Sequence, residues 1–387
     1  MSGALRVALD YRPALWSRAG IARSVRELVA ALDALQPAPH DVELHLYGDC
    51  LRRAPRELGD PPSPRSEWIQ LRARRVPARV AAWLHRKLGP LRRWAELDLL
   101  HTTDYVVPPL PALPHLATIY DLSFLVDREL HGAERAALLE RVTRELASRA
   151  IGITTPSRTT AREIEQRLGV PAAAIHVIPL GADHVQRILQ TLPPRIAAPP
   201  SRERFHLVTI GTLEPRKNHW RCLRAFERLR VEVPHARWSI VGRRGWLDEP
   251  FLAALERSSA RDAIRLETRG LADRDALALL RDADLLLYAA LHEGFGLPLV
   301  EAMELGVPVL SSRGGATEEV CGDAARLVDP RSEEELFLAL RELARTPEAR
   351  VELARRGRGR ASEFRWRDAA LAHLELWRAS ARRGGAS

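Results

Sequence analysis

The stretch His206-Leu-Val-Thr-Ile-Gly-Thr-Leu-Glu-Pro-Arg-Lys-Asn-His219 decides the fold. Leu207 to Ile210 read as a buried strand, being apolar or β-branched. Gly211 lets the backbone turn sharply, and a helical pattern opens near His219. This strand–glycine turn–helix order recurs along the chain, where short apolar runs alternate with amphipathic helical stretches. That alternation predicts parallel sheets with crossover helices, an α/β class.

Worked outward, the pattern gives strands near 5–10, 42–48, 67–72, 97–102, 115–120, 150–155 and 175–179, with helices near 20–35, 76–94, 132–148 and 158–169. The second half gives strands near 205–211, 236–242, 264–269, 284–289, 307–311 and 325–328. Its helices fall near 219–232, 249–259, 273–282, 297–304, 332–345 and 347–361, and a last helix near 367–381 carries Ala370, Leu374 and Trp377 at helical spacing. Leu192-Pro-Pro-Arg-Ile-Ala-Ala-Pro-Pro200 has four prolines in nine residues, which rules out a helix or central strand. A length of 387 residues also exceeds what one core usually serves. The expected organisation is therefore two doubly wound, Rossmann-like domains facing each other across a cleft: 1–190, a linker 191–203, 204–365, and a C-terminal helix and tail 366–387 that packs back on the first domain. Ligands in such sheets bind at the carboxyl ends of the strands.

Composition excludes several classes. No run of 18 or more apolar residues exists, so no spanning helix is expected. Met1–Asp10 lacks a signal pattern and reads as a first strand, and the cysteine usage fits a reducing cytoplasm, the expected location. Cys50, Cys222 and Cys321 are far apart, which argues against a disulfide frame or a cysteine metal site. The net charge of +9 comes from 59 basic residues, of which only Lys87 and Lys217 are lysines. No nucleic-acid signature accompanies that charge, so nucleic acid is not an expected partner.

Two motifs carry chemistry. In Gly211–Asn218, Arg216 and Lys217 stand where a helix start presents free N–H groups, the setting of a phosphate-binding turn. Cations there stabilise a departing diphosphate more in the transition state than in the ground state. In Glu293-Gly-Phe-Gly-Leu-Pro-Leu-Val-Glu301, Gly294 and Gly296 permit close backbone approach, and Pro298 suits a first helical turn. The plain alternatives are an exposed loop acid at 293 and a helix-start charge at 301. Two carboxylates on one loop and helix start do not make the opposed pair of a glycoside hydrolase. No histidine–carboxylate cluster has metal-ligand spacing. His101, His115, His184 and His292 are lone histidines for which a hydrogen-bonded structural role comes first.

These motifs resemble a retaining glycosyltransferase of family four with the GT-B fold, mannosyltransferase-like branch. The resemblance spans nearly the whole chain and includes Gly314–Val320, Gly322–Ala325 and Leu327–Pro330. It implies that Glu293 contacts the transferred sugar, that Glu301 binds the ribose, and that Arg216 and Lys217 clamp the diphosphate. It places Phe295, Gly296, Leu297, Gly211, Gly20, Leu271 and Arg243 at the donor. It puts Asp121 among the catalytic residues and Tyr120 and His101 on the acceptor side. The implied donor is GDP-mannose or a UDP-sugar, the acceptor a glycan or lipid-linked glycan of surface polysaccharide or lipopolysaccharide assembly, with no cofactor or metal.

The chain departs from that pattern twice. Tyr120 stands where many members have histidine, and tyrosine is a poor base near neutral pH. Gly20-Ile21-Ala22-Arg23 keeps only the first glycine of the phosphate loop. On these departures rests the alternative of a catalytically silent nucleotide-sugar-binding protein. From Arg72 to Arg93 eight basic residues occur without an acidic one, around the apolar stripe Val80, Trp83, Leu84, Leu88 and Leu91. Either this helix packs on the sheet, or 72–94 makes peripheral contact with an anionic membrane face.

Overall fold

The computed structural model describes residues 4–17, 20–48, 64–72, 96–105, 113–190 and 203–384. The basic segment 73–94 and the linker 191–202 lie outside the described residues. Among the described residues no helix is long and apolar enough to cross a membrane.

The chain divides into two compact units. Unit 1 comprises 1–122, 137–180 and 366–387. Its sheet contains β1 (Leu5–Asp10), β2 (Val42–Tyr47), β3 (Ile69–Arg72), β4 (Leu99–Thr102), β5 (His115–Thr118), β6 (Gly152–Thr155) and β7 (Ile175–Val177). The order is β3-β2-β1-β4-β5-β6-β7, with every pairing parallel. The helix Trp366–Gly384 packs on the helix Gly20–Asp33 and on β1 and β4. Trp377 is fully buried there, and Arg378 grips the Asp41 carboxylate with two hydrogen bonds of 2.8 and 2.7 Å.

Unit 2 comprises 123–136 and 181–365. Its sheet contains β8 (Phe205–Ile210), β9 (Ala236–Val241), β10 (Ile264–Glu267), β11 (Leu285–Tyr288), β12 (Val309–Ser312) and β13 (Arg326–Val328). The order is β10-β9-β8-β11-β12-β13, again all parallel. Its core joins Phe205, Leu207, Phe226, Trp238, Ile240, Leu285 and Leu287. The Trp238 indole inside it donates to Thr209 Oγ1 at 2.9 Å, which keeps its one polar atom satisfied.

In both sheets the strand order reverses between the first and fourth strands, at β1/β4 and at β8/β11. That reversal is where a doubly wound sheet opens a crevice at its carboxyl edge. All thirteen strands lie within the predicted ranges or a residue beyond them. The short helices Arg12–Trp16, Ser123–Val126, His184–Leu189 and Gly315–Cys321 are not predicted, because none is long enough to display a helical period.

The boundary at 190 requires correction. Residues 181–190 belong to unit 2, as do 123–136. The helix His184–Leu189 packs on the helices Asp273–Arg281 and Leu297–Glu304. The segment 123–136 is held by the Trp246 indole, which donates to the Leu130 carbonyl at 2.7 Å and stacks on His131. Local apolar pattern does not reveal which sheet a short helix will join.

Candidate active site

The loops after β8 and β11, the two strands that flank the reversal in unit 2, carry the two sequence motifs. They are tied together by backbone. Leu291 N–H donates to the Arg216 carbonyl at 2.7 Å. Asn218, in the left-handed region at φ 62°, donates from its side chain to the carbonyls of Ala289 at 3.0 Å and Pro330 at 2.7 Å. Its short polar side chain tolerates that conformation. The neighbouring loop after β9 is held as closely. A Cβ on Gly242 would stand 1.7 Å from the Gly211 carbonyl oxygen, so only glycine fits. Gly296 begins the helix Leu297–Glu304 at φ 87°, where an added Cβ would meet Leu299 at 2.6 Å.

On this frame the charges converge. Arg216 pairs ionically through Nε with Glu214 at 2.6 Å and through Nη1 with Glu293 at 3.0 Å, and its Nη1 donates to the His292 carbonyl at 3.2 Å. Lys217 Nζ bonds the same Glu293 oxygen and donates to the Tyr288 hydroxyl at 2.7 Å. Two cations and two carboxylates thus share one small volume, with Glu214 and Glu293 both buried. Burial, and Arg216 beside it, pull the Lys217 ammonium below its ordinary value, while Glu293 and Glu214 oppose them. Burial together with Glu293 holds the Tyr288 hydroxyl well above its ordinary value, so it stays a neutral partner.

Glu301 lies within the helix Leu297–Glu304 and is sealed from solvent, 0% exposed. His184 Nε2 hydrogen bonds its Oε1 at 3.0 Å. Phe295 and Leu297 bury their side chains, Phe295 edge-on to Phe364 at 5.5 Å. Arg243 and Leu271 sit on the loops after β9 and β10, where Arg243 lies along Gly270. Glu293, Arg216, Lys217, Gly211, Gly296, Arg243 and Leu271 therefore all lie at one carboxyl edge of one sheet. Among the described residues no group of three or more histidine, cysteine or carboxylate side chains could hold a metal ion.

The unit 1 residues separate into two kinds. Tyr120 follows β5 and lines a small cavity with Thr103, Thr118, Thr155 and His373 at the carboxyl ends of β4 to β6. Burial, with Asp104 and Asp10, pushes its hydroxyl far up, which removes it as a base. Asp121 is fixed by Tyr105, whose hydroxyl donates to the Asp121 carbonyl at 2.7 Å and accepts from its N–H at 3.0 Å. Gly20 starts the helix Gly20–Asp33 with open space where a side chain would be. Ala22 turns its methyl into the core at 1% exposure, so the missing second glycine places no methyl on the surface. His101 lies in the interior of unit 1. It is fully buried, with Nε2 on Thr118 Oγ1 at 2.9 Å and Nδ1 accepting from the Trp377 indole at 3.0 Å. Trp377 comes from the C-terminal helix, so nothing near position 101 in sequence reveals this cover.

Glu214, Asn218, Tyr288 and His184 contact the candidate residues or pin their loops, and sequence reasoning does not select them. Glu214 and Asn218 lie within the quoted GTLEPRKN string, and their type alone could have marked them. Tyr288 and His184 give no local signal.

Two cations at the carboxyl edge of a doubly wound sheet suit an anionic, phosphorylated ligand. The chain belongs to the glycosyltransferases of family four: residues 18–186 match Glycosyltransferase Family 4 and residues 196–360 match Glycosyl transferases group 1. It is 28% identical over 375 residues to the O-antigen chain mannosyltransferase B of Escherichia coli, covering 94% of this chain and 96% of that one. It is 33% identical over 225 residues to a GDP-mannose-dependent alpha-(1-6)-phosphatidylinositol dimannoside mannosyltransferase of Mycobacterium tuberculosis, covering 55% of this chain and 54% of that one. Among solved structures, a sucrose-phosphate synthase from Thermosynechococcus elongatus shares the fold, with a TM-score of 0.71 over 99% of this chain and 100% of that one at 19% identity. The enzyme is a hexosyltransferase.

Proposed function

We propose that the enzyme transfers mannose from GDP-mannose to a hydroxyl of a glycan or lipid-linked glycan, with retention at the anomeric carbon and no metal. The observation that carries this reading is the convergence of Arg216 and Lys217 on Glu293 at the strand reversal of unit 2. The diphosphate of the donor takes the two cations. Glu293, until then held by them, is released to accept hydrogen bonds from the sugar hydroxyls. As the sugar–phosphate bond breaks, Arg216 and Lys217 neutralise the charge that builds on the leaving diphosphate. The leaving phosphate oxygen removes the acceptor's proton, so the lack of a base at Tyr120 is no obstacle. Glu301 binds the ribose. Mannose is supported by the names of both curated relatives and guanine by the name of the Mycobacterium tuberculosis relative alone, and a UDP-sugar is the competing donor.

Thermal unfolding with GDP, UDP, ADP and their sugars tests the reading, because a ligand that binds only the folded state raises its melting temperature. The expected result is a shift with GDP and GDP-mannose that Glu301→Ala diminishes. A shift confined to the uridine series would replace the donor, and no shift with any nucleotide would overturn the assignment.

A further inference from the structure

A carboxylate sealed from water must have its orientation set by protein groups. Glu301 is such a carboxylate, with its side chain and that of His184 both 0% exposed and 3.0 Å apart. An ionised acid at that depth is costly unless hydrogen bonds hold it. His184 opens the helix His184–Leu189, which packs on the helix that bears Glu301. The segment 181–190 therefore joins unit 2 and delivers a donor to one named oxygen.

We infer that His184 is a positioning residue for Glu301: its Nε2–H fixes Oε1 so that the carboxylate presents a set orientation to the ribose hydroxyls of the donor. This rests on the assignment of Glu301 to the ribose in the proposed function. A ribose diol needs a carboxylate held in one plane, because its two hydroxyls are fixed relative to each other by the ring. Without His184 the Oε1 oxygen loses this donor, and the two-point fit weakens before the charge is lost.

The experiment is calorimetric titration of the full chain with GDP and 2′-deoxy-GDP, and with UDP and 2′-deoxy-UDP. Wild type, Glu301→Ala, His184→Ala, His184→Asn and His184→Gln are compared, each checked for cooperative unfolding. Wild type is expected to prefer the ribonucleotide about tenfold, the size of one lost hydrogen bond to a charged group, and Glu301→Ala to abolish that preference. His184→Ala and His184→Asn are expected to lose most of it. His184→Gln, whose amide N–H reaches as far as Nε2, is expected to restore at least half. In transfer assays the donor KM rises in His184→Ala more than kcat falls, and Gln again restores it, which a merely structural role would not produce. Should His184→Ala fail to fold, the Asn and Gln pair decides. Full ribose preference in both the Ala and Asn variants, or tighter ribonucleotide binding in either, overturns the inference while Glu301→Ala still upholds the ribose assignment. A Glu301→Ala variant that keeps the preference overturns the ribose assignment, and this inference with it.

Discussion

Lys217 aims its ammonium at the Tyr288 hydroxyl, 2.7 Å away, and also lies 4.9 Å from the centre of the Tyr288 ring. The lysine is thus held by a neutral partner as well as by Glu293, and a diphosphate can take it over without leaving it unsupported. Removing a fixed cation at a site of developing charge costs about 100- to 1000-fold in kcat. That loss is expected for Lys217→Ala, with little change in melting temperature because Arg216 still neutralises Glu293. Tyr288→Phe keeps the ring and loses only the hydroxyl, and is expected to cost tenfold or so at most. Steady-state kinetics on both variants checks this, and a Tyr288→Phe loss as large as that of Lys217→Ala would place the hydroxyl in the chemistry itself.

Asn218 pins the loop after β8 to the carbonyls of Ala289 and Pro330 while at 2% exposure. In Asn218→Ala both buried carbonyls lose their donor, at roughly 1–3 kcal/mol each, and an alanine is strained at φ 62°. Asn218→Gly removes the same bonds but relaxes the backbone. Denaturant unfolding is expected to rank wild type above Gly and Gly above Ala. Equal losses in the two variants would show that the left-handed backbone contributes nothing.

Gly242 lets the chain after β9 run against the Gly211 carbonyl. In Gly242→Ala a methyl group 1.7 Å from that oxygen must push the phosphate loop away. Donor affinity is expected to fall at least tenfold, because a displacement of about 1 Å costs that much in positioning. Arg216 and Lys217 remain chemically intact in this variant, so unchanged donor binding by calorimetry would argue that the phosphates lie elsewhere.

What the sequence discloses and what it hides follow a physical line. Parallel sheets are implied by the alternation of Leu207–Ile210-like runs with amphipathic helices, because each run needs burial on both faces. Arg216, Lys217, Glu293 and Glu301 stand out because glycine and proline around them mark loops where backbone approaches a ligand. Partners distant in sequence do not show. His184 and Glu301 are 117 residues apart, and His101 and Trp377 are 276 apart. His184 meets the buried Glu301 and His101 is covered by the last helix, and neither contact is legible in the sequence around 184 or 101. Which neighbour a side chain finds depends on which sheet its segment joins, and short segments such as 184–189 carry no periodicity to say so.

Unit 1 buries histidines as neutral groups, and this fixes the direction of its acid sensitivity. Burial lowers His373 to about 4, and its Nδ1 bonds the Ala369 carbonyl at 2.7 Å. His101 stacks on it at 5.5 Å and is itself held well below the ordinary range by burial and by His373. His115, on Thr102 Oγ1 at 2.8 Å, is lowered to about 4 by burial and Arg149. A group whose folded value lies below its unfolded value binds fewer protons when folded. Stability is therefore complete above the unfolded value near 6.5 and is lost as pH falls from there toward about 4. For His373 the full loss is about 3 kcal/mol, and protonation of one ring of the stacked pair opposes protonation of the other. His373→Met is expected to be less stable than wild type at pH 7.5 by about 1 kcal/mol, the hydrogen bond to Ala369. Its stability should then fall less steeply between pH 6.5 and 4, so that the two curves converge or cross. Denaturant titrations of both proteins at pH 7.5, 6, 5 and 4 measure this, and parallel curves would mean that His373 is not held neutral by the fold.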